Sequence, residues 1–257
     1  MANGWLPGYD REPTPNHDTR GGFGIEAWVI HIMEGGFRPS IDWMRSQGTS
    51  AHFAVRRDGY ALQLVSLARA ARANGLRWIP SRGMWMDPER NLVVPPWRGL
   101  HPPYNPNKYT GSTENAGTAR DVWTNAMYDA NATILRAVGD LHNIQWIPGV
   151  TLIGHRHIGP IHRPNCPGPN VDLGYLARLA NERPALRGIY RITVARDEVA
   201  VVRQGPGTEF PKADRLAPGT MIDVDMGVFG TLVIGSRLWM HLRDGRGFVH
   251  GALMEPV

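Results

Sequence analysis

The stretch VTLIGHRHIGPIHRPNCPGPN, residues 150–170, indicates both the fold and the chemistry of this chain. Its apolar start predicts a buried strand that ends at His155, and a Pro/Gly-rich turn then brings in Cys166, the only cysteine of the sequence. A second apolar run, AWVIHIMEGG at residues 27–36, places His31 at the end of another strand. Two imidazoles and one thiolate match the three protein ligands of a catalytic zinc site, whose fourth position is left for water. We therefore expect these three residues to bind Zn2+.

Two other interpretations of these residues remain open at this point. Cys166 could be a nucleophile with His155 as its base, as in cysteine peptidases. That interpretation leaves His31 without a role, and Pro167 follows the cysteine directly, where a helix N-terminus would have activated a thiolate. A single histidine at a strand end is also commonly a buried structural residue. The zinc interpretation depends on the three residues occurring together.

A zinc hydrolase also needs a group that moves the proton of the activated water, and a carboxylate outside the metal ligands often does this. Glu114 is the first candidate. It lies in KYTGSTENAG, residues 108–117, where small neighbours would let a substrate approach. Glu34, among glycines three residues after His31, is the second candidate.

Composition restricts the class of protein. The chain has 257 residues, of which 42% are hydrophobic and 20% charged, as in ordinary soluble globular proteins. No run approaches the roughly 20 apolar residues of a transmembrane helix. The N-terminal residues lack the features of a secretory signal, so we expect synthesis in the cytoplasm without a signal peptide. The net charge of +5 indicates an anionic partner, and the scattering of the basic residues argues against nucleic acid.

The first part of the chain alternates between strand and helix patterns, which predicts an α/β domain. Asp58-Gly59 between two strand-like runs indicates a β-hairpin. Residues 67–75, LARAARANG, are typical of a helical turn that ends at a glycine. Residues 118–142 carry apolar side chains at three- and four-residue spacing, which predicts a long helix with Thr118 as its cap.

Residues 76–107, called here the proline-rich segment, hold seven prolines and three tryptophans. Proline at this density forbids a long helix. The segment either packs over the core as a cover or uses its aromatic side chains to line a groove. Because of the second alternative, Trp78 and Trp97 are predicted substrate contacts.

The sequence changes character after Arg187. Short alternating runs such as IYRITV, EVAVVRQ and RGFVHG recur about every ten residues between Gly/Pro turns, which is typical of a small β-barrel or sandwich. We therefore expect an α/β domain at residues 1–183, a linker at 184–190 and an all-β domain at 191–257.

The motifs quoted above resemble those of zinc-dependent N-acetylmuramoyl-L-alanine amidases of the phage-lysozyme and peptidoglycan-recognition-protein type. The matching pieces lie in order between residues 27 and 180 and are VIHIMEG, SAHFAVRRDG, YTGSTENAG, DVWTNAMYDA, IGHRHI and NCPGPNVD. The resemblance implies a mixed β-sheet flanked by helices, with zinc in a surface groove. It also implies that activated water hydrolyses the amide between the lactyl group of N-acetylmuramic acid and L-alanine of peptidoglycan.

The resemblance assigns roles to individual residues. His31, His155 and Cys166 would bind zinc, and Glu114 stands where many members carry their catalytic glutamate. Many members have a lysine two or three residues before the third ligand, and here Arg163 could stabilise the oxyanion instead.

Two more histidines are predicted to lie near the site. His52 opens the hairpin and could face the groove, and His157 follows His155 by two residues. Since residues two apart on a strand face the same side, His157 could also replace a ligand. Both are included among the predicted substrate contacts. The chain departs from the family pattern at Ala51, where some members carry a catalytic tyrosine, and at RANG, residues 72–75, where a His-Ala-Gly motif is usual.

The last part of the chain resembles a bacterial SH3-like domain. The matching pieces are VAVVRQGPGTEFPKADRLAPGTMIDV, residues 199–224, and RLWMHLRDGRGFVHGALM, residues 237–254. Such domains commonly hold enzymes on the cell wall. The resemblance therefore implies a monomeric, phage-type endolysin that acts on bacterial peptidoglycan, and on anionic wall polymers, after release or from outside. The alternatives are a bacterial autolysin and a non-catalytic peptidoglycan-binding protein.

Overall fold

The computed structural model describes residues 4–182, 188–233 and 236–257. The chain forms two compact units that divide between Asn181 and Glu182. Of the predicted linker at 184–190, residues 184–187 lie outside the described residues, and residues 188–190 lie in a strand.

The first unit contains short strands and three helices. The strands are β1 (Asp10–Arg11), β2 (His17–Thr19), β3 (Ala27–Ile32), β4 (Phe53–Val55), β5 (Ala61–Gln63), β6 (Arg69–Ala71), β7 (Arg77–Ile79), β8 (Met84–Met86), β9 (Leu92–Val93), β10 (Thr110–Asn115) and β11 (Leu152–Gly154). The helices are α1 (Phe37–Ser46), α2 (Asn125–His142) and α3 (Leu173–Asn181). No helix among the described residues is long and apolar enough to cross a membrane.

A six-stranded mixed sheet in the order β1-β5-β4-β10-β3-β11 organises this unit. Strand β3 pairs in parallel with both β10 and β11, whereas β4 and β5 form an antiparallel hairpin. The hairpin predicted at Asp58-Gly59 is therefore confirmed. The predicted class, a mixed sheet flanked by helices, is also confirmed.

Strand β3 is buried along its whole length and separates two hydrophobic layers. Because side chains alternate between the faces of a strand, Trp28 and Ile30 pack with α2 and α3, whereas Ala27 and Val29 pack against the proline-rich segment. The Trp28 ring also lies so close to the neighbouring strand β10 that only a glycine fits at position 111, because a Cβ there would collide with the ring. His31 continues the alternation on the face of Ala27 and Val29.

The structure corrects two predictions about local structure. Residues 67–75 are not helical, because residues 69–71 form β6 and pair with β2. The long helix begins at Asn125 rather than near residue 118, because the Thr124 hydroxyl accepts a hydrogen bond from Met127 N (3.1 Å) and caps the first turn. Thr118 instead donates its backbone N–H to Asp121 in a turn (2.7 Å).

The proline-rich segment folds as a cover over the sheet. Strands β7, β8 and β9 form a three-stranded antiparallel sheet. Trp85 and Trp97 are buried in the layer that includes Val29 and Ile153 of the main sheet. Of the two alternatives for this segment, the structure supports the cover.

The second unit is all-β, as the sequence predicts. Its strands are β12 (Gly188–Ile192), β13 (Ala200–Arg203), β14 (Lys212–Leu216), β15 (Met221–Val233), β16 (Ser236–Leu242), β17 (Phe248–His250) and β18 (Met254–Pro256). They form one sheet in the order β14-β13-β17-β16-β15-β12-β18. Its core includes Val202, Val224, Leu242 and Val249.

Candidate active site

The carboxyl ends of three neighbouring parallel strands bring the predicted site residues together. Glu114 of β10 lies in register with His31 of β3. Strand β11 pairs with the other side of β3 and ends directly before His155. Paired positions on adjacent strands present their side chains on the same face. His31 Nδ1 consequently lies 3.9 Å from Glu114 Oε1.

Buried amides fix the strand end that carries His31. Asn115 Nδ2 donates to the His31 carbonyl oxygen (2.9 Å), and Asn131 Nδ2 of α2 donates to Asn115 Oδ1 (2.7 Å). Both asparagines are fully buried. Such a network restrains the backbone because each buried polar group would be costly to leave unpaired. The long helix α2 thus restrains the backbone of His31 through these two asparagines.

Cys166 reaches the site through the ligand loop, residues 155–166. Arg156 N donates to Cys166 O (3.0 Å), and Ile32 N of β3 donates to Cys166 Sγ (3.3 Å). The close approach needs a glycine at position 154, because a Cβ there would collide with the Pro167 ring. These contacts place the thiol against the end of β3.

His31, His155 and Cys166 form a group that could hold a metal ion. One ligand atom from each lies within 4.8 Å of the others, and all three residues are buried. Burial, with a smaller effect from the charge of Arg163, lowers the pKa of His31 to about 3, and burial also holds the pKa of His155 well below 6.5. Both imidazoles are therefore neutral, which is the form that binds a metal. The donor set fits zinc, which prefers nitrogen and sulfur ligands.

The structure does not favour Cys166 as a nucleophile. Burial, and to a smaller extent the nearby Glu114 carboxylate, raises the pKa of the thiol. Nucleophilic cysteines need a lowered pKa and partial exposure. A metal ion would instead displace the thiol proton when it binds.

Glu114 has the environment of a proton-transfer group. Burial raises its pKa from 4.5 to about 8, and the charge of Arg163 partly opposes this shift. Its Oε2 has no hydrogen-bond partner among the described residues. Glu34, the second candidate, uses its Oε1 to accept a hydrogen bond from Ala119 N (3.1 Å).

Arg163 lies within electrostatic reach of the whole group. Its charge lowers the pKa of His31, His155, Glu114 and Cys166, in each case as an effect smaller than burial. In the part of the chain that the structure describes, Arg163 forms no ion pair with a carboxylate. A cation in this position is available to stabilise negative charge that develops next to the ligand group.

The group opens into a cavity of about 700 Å3. Its lining includes His31, Glu114, His155, Arg163 and Cys166. The rest of the wall includes the glycines that follow β3, one side of α1 and the end of the ligand loop. A concave site with a few convergent polar groups is the usual form of a small-ligand or active site.

Four predicted substrate contacts are not among the described residues that line this cavity. His52 is buried below β10, where Ser112 N donates to its Nδ1 (3.2 Å) and the Arg20 guanidinium lies 2.8 Å from its Nε2. The other three lie on the side of the proline-rich segment. Trp97 Nε1 donates to Val150 O (2.8 Å), Trp78 packs edge-on against Trp85, and His157 Nδ1 accepts from Gly154 N (3.1 Å).

The cavity also contains residues that the sequence reasoning missed. Trp43 on α1 is 56% exposed and lines the cavity, as do Ser40 and Arg72. An exposed tryptophan is unusual. The sequence does contain a signal for Trp43, because it is a tryptophan on the polar side of an amphipathic helix. Its position in space, however, depends on how α1 packs.

Comparison with protein-family models identifies a family for the first part of the chain. Residues 22–169 match the model of the N-acetylmuramoyl-L-alanine amidase family. The match spans His31, Glu114, His155, Arg163 and Cys166. No curated protein sequence is similar enough to match the chain.

Several solved structures are similar to part of this chain. A selenomethionine derivative of AmpD has 22% sequence identity and a TM-score of 0.50, over 68% of this chain and 96% of AmpD. The endolysin amidase LysCS from Clostridium intestinale has 18% identity and a TM-score of 0.44, over 69% of this chain and 98% of LysCS. AmiD from E. coli, solved with anhydro-N-acetylmuramic acid-L-Ala-D-gamma-Glu-L-Lys, has 17% identity and a TM-score of 0.48, over 66% of this chain and 63% of AmiD.

Proposed function

Because the chain belongs to the N-acetylmuramoyl-L-alanine amidase family and is a peptidoglycan amide hydrolase, we propose that the group at the carboxyl ends of β3, β10 and β11 is its catalytic centre. In this proposal His31, His155 and Cys166 hold a zinc ion, Glu114 transfers protons and Arg163 stabilises the oxyanion. The observation that carries it is the register of Glu114 with His31, 3.9 Å apart beside three mutually close ligand atoms.

Zinc would supply Lewis-acid chemistry at this position, polarising a carbonyl and lowering the pKa of a bound water. The protein contributes two neutral imidazoles and a thiol that loses its proton on binding. It also contributes a buried setting, in which the attraction between opposite charges is stronger than in water. Three side-chain ligands leave room for water and substrate.

Glu114 and Arg163 account for the proton and charge movements of amide hydrolysis. The water oxygen adds to the lactyl carbonyl carbon, and Glu114 takes the water proton. Arg163 faces the negative charge that develops on the carbonyl oxygen. When the carbon–nitrogen bond breaks, Glu114 returns the proton to the amine of L-alanine. Burial raises the pKa of this carboxyl group, and a cation bound beside it would lower that pKa toward neutral pH, where the group can both take and return a proton.

We also infer that the second unit holds the enzyme on the cell wall. Its sequence resemblance to SH3-like domains supports this role, and its all-β architecture is compatible with it. The net charge of +5 lies in residues 1–187, because Lys/Arg and Asp/Glu are equal in number after them. The proposed partners of the chain as a whole are peptidoglycan and anionic wall polymers. A monomeric, endolysin-type enzyme is the biological role proposed. A bacterial autolysin would use the same chemistry.

End-group analysis of digested sacculi tests the proposal. Purified sacculi are incubated with zinc-loaded protein, with the same protein after chelation, and with a Glu114→Gln variant. We expect new N-terminal alanine and no new reducing sugar with the zinc-loaded protein alone. Full activity after exhaustive chelation would contradict the metal assignment. Full activity of the variant would contradict the assignment of Glu114.

A further inference from the structure

The proline-rich segment contacts the ligand loop directly. Trp97 N donates to His157 O (3.0 Å), and the Trp97 indole donates to Val150 O just before β11 (2.8 Å). Trp97 is buried, and these two bonds restrain the start of the ligand loop.

A second contact reaches the far end of the ligand loop, beside the cavity. Glu89 Oε1 lies 2.8 Å from His162 Nδ1. The His162 side chain is only 11% exposed and lines the cavity, whereas that of Glu89 is 62% exposed. His162 therefore lies between a surface carboxylate and the catalytic centre, and Arg163 is the next residue.

Glu89 is held at the tip of a tight turn. Asp87, which is buried, accepts a hydrogen bond at Oδ1 from Asn91 N (2.8 Å) and at Oδ2 from Asn91 Nδ2 (3.1 Å). Arg90 adopts a left-handed conformation with φ of 69°, and its N–H donates to Asp87 O (3.0 Å). The turn is closed by its own hydrogen bonds, so it can present a carboxylate in a fixed position.

The backbone connects His162 to the proposed oxyanion group. Arg163 N donates to Gly159 O (2.8 Å), and Cys166 N donates to Arg163 O (3.2 Å). These bonds restrain the backbone that leads to Cys166, so a displacement of His162 would act mainly on the side chain of the next residue, Arg163.

From these contacts we propose that Glu89 is a positioning residue. Through His162, it holds Arg163 in place over the metal-ligand group. The inference rests on the proposed role of Arg163 in the amidase reaction. It gives the proline-rich segment a function in catalysis beyond covering the core, although none of its described residues lines the cavity.

Steady-state kinetics with a soluble muramoyl-peptide substrate test this inference. We expect Glu89→Ala to lower kcat about tenfold, with KM and zinc content unchanged, because a small misplacement of a catalytic group reduces rate more than binding. Glu89→Gln should retain most of the activity, since its amide has the size of the carboxylate and can keep the contact with the imidazole.

The chain offers a matched control in a second carboxylate–imidazole pair, which joins His101 of the same segment to Glu26, the residue before β3. Glu26 Oε2 lies 2.7 Å from His101 Nε2, and neither residue lines the cavity. Glu26→Ala should therefore leave kcat within about twofold of the parent value. Equal losses in Glu26→Ala and Glu89→Ala would mean general loosening of the segment and would overturn the inference.

A double-substitution cycle separates positioning from other effects. In an Arg163→Ala background, Glu89→Ala should cause no further loss, because the residue it positions is absent. An undiminished loss in that background would overturn the inference. Wild-type protein that releases no alanine N-terminus would instead reject the proposed function, so the two failures are distinguishable.

Discussion

A buried hydrogen bond next to Glu114, the proposed proton-transfer group, gives a quantitative test of how β10 is oriented. Thr113 is fully buried, and its Oγ1 accepts a hydrogen bond from Trp28 Nε1 (2.8 Å). Valine has nearly the same shape as threonine but no acceptor. Thr113→Val would therefore leave a buried indole N–H unpaired, at a cost of about 1–3 kcal/mol in the free energy of unfolding.

This cost corresponds to a measurable shift in melting temperature. For a domain of this size, about 1 kcal/mol lowers Tm by about 2–4 °C, so a loss near 2 kcal/mol predicts a drop of about 4–8 °C. Tryptophan fluorescence is a suitable probe because eight of the nine tryptophans lie in the first unit. In a Trp28→Phe background the donor is absent, and Thr113→Val should then cost much less.

The same variant also tests the placement of Glu114. Side chains of adjacent strand residues face opposite sides, so Thr113 points into the core and Glu114 into the cavity. Folded Thr113→Val should keep kcat within about twofold of the parent value, since its side chain is remote from substrate. An unchanged Tm would refute the hydrogen-bond reasoning. A large loss of kcat with the fold intact would refute the assigned orientation of β10.

Three further substitutions give distinct expected results. Cys166→Ser should reduce the zinc content measured by mass spectrometry, together with activity, because a hydroxyl is a poor zinc ligand; full zinc occupancy would contradict its role. Glu114→Gln should retain zinc but lower kcat by about 10²–10⁴-fold, the usual contribution of general acid–base catalysis; an unchanged kcat would contradict this. Trp43→Ala should raise KM in assays of muramoyl-peptide hydrolysis, with kcat nearly unchanged, because an exposed ring that lines the cavity adds binding area. Trp43→Phe should keep a KM near that of the parent. Equal KM values for the two variants would argue against a ring contact.

The grouping of His31, His155 and Cys166 could be predicted from sequence because its signals are local. His31 and His155 each end an apolar run, and parallel strands bring such ends to one edge of a sheet. Cys166 has no competitor, as the only cysteine in the sequence. An apolar run in the sequence indicates a buried strand without any knowledge of distant contacts, so the ends of these strands can be located from sequence.

Other features depend on contacts that are distant in sequence. Residues 69–71 have helix-forming composition, yet they become a strand by pairing with β2, which lies about fifty residues earlier. His52 opens the hairpin as predicted, but the Arg20 guanidinium 2.8 Å away belongs to the N-terminal segment. Neither partner can be recognised from local periodicity. The contact between Glu89 and His162 is of the same kind.

Isotope labelling identifies the bond that is cleaved, which we expect to be the amide between the muramic lactyl group and L-alanine. A defined muramoyl-peptide is digested in water enriched in oxygen-18, and the products are analysed by mass spectrometry. We expect one heavy oxygen in the lactyl carboxylate and a free, unlabelled alanine N-terminus. Label at a sugar carbon, or at a carboxylate within the peptide, would contradict it.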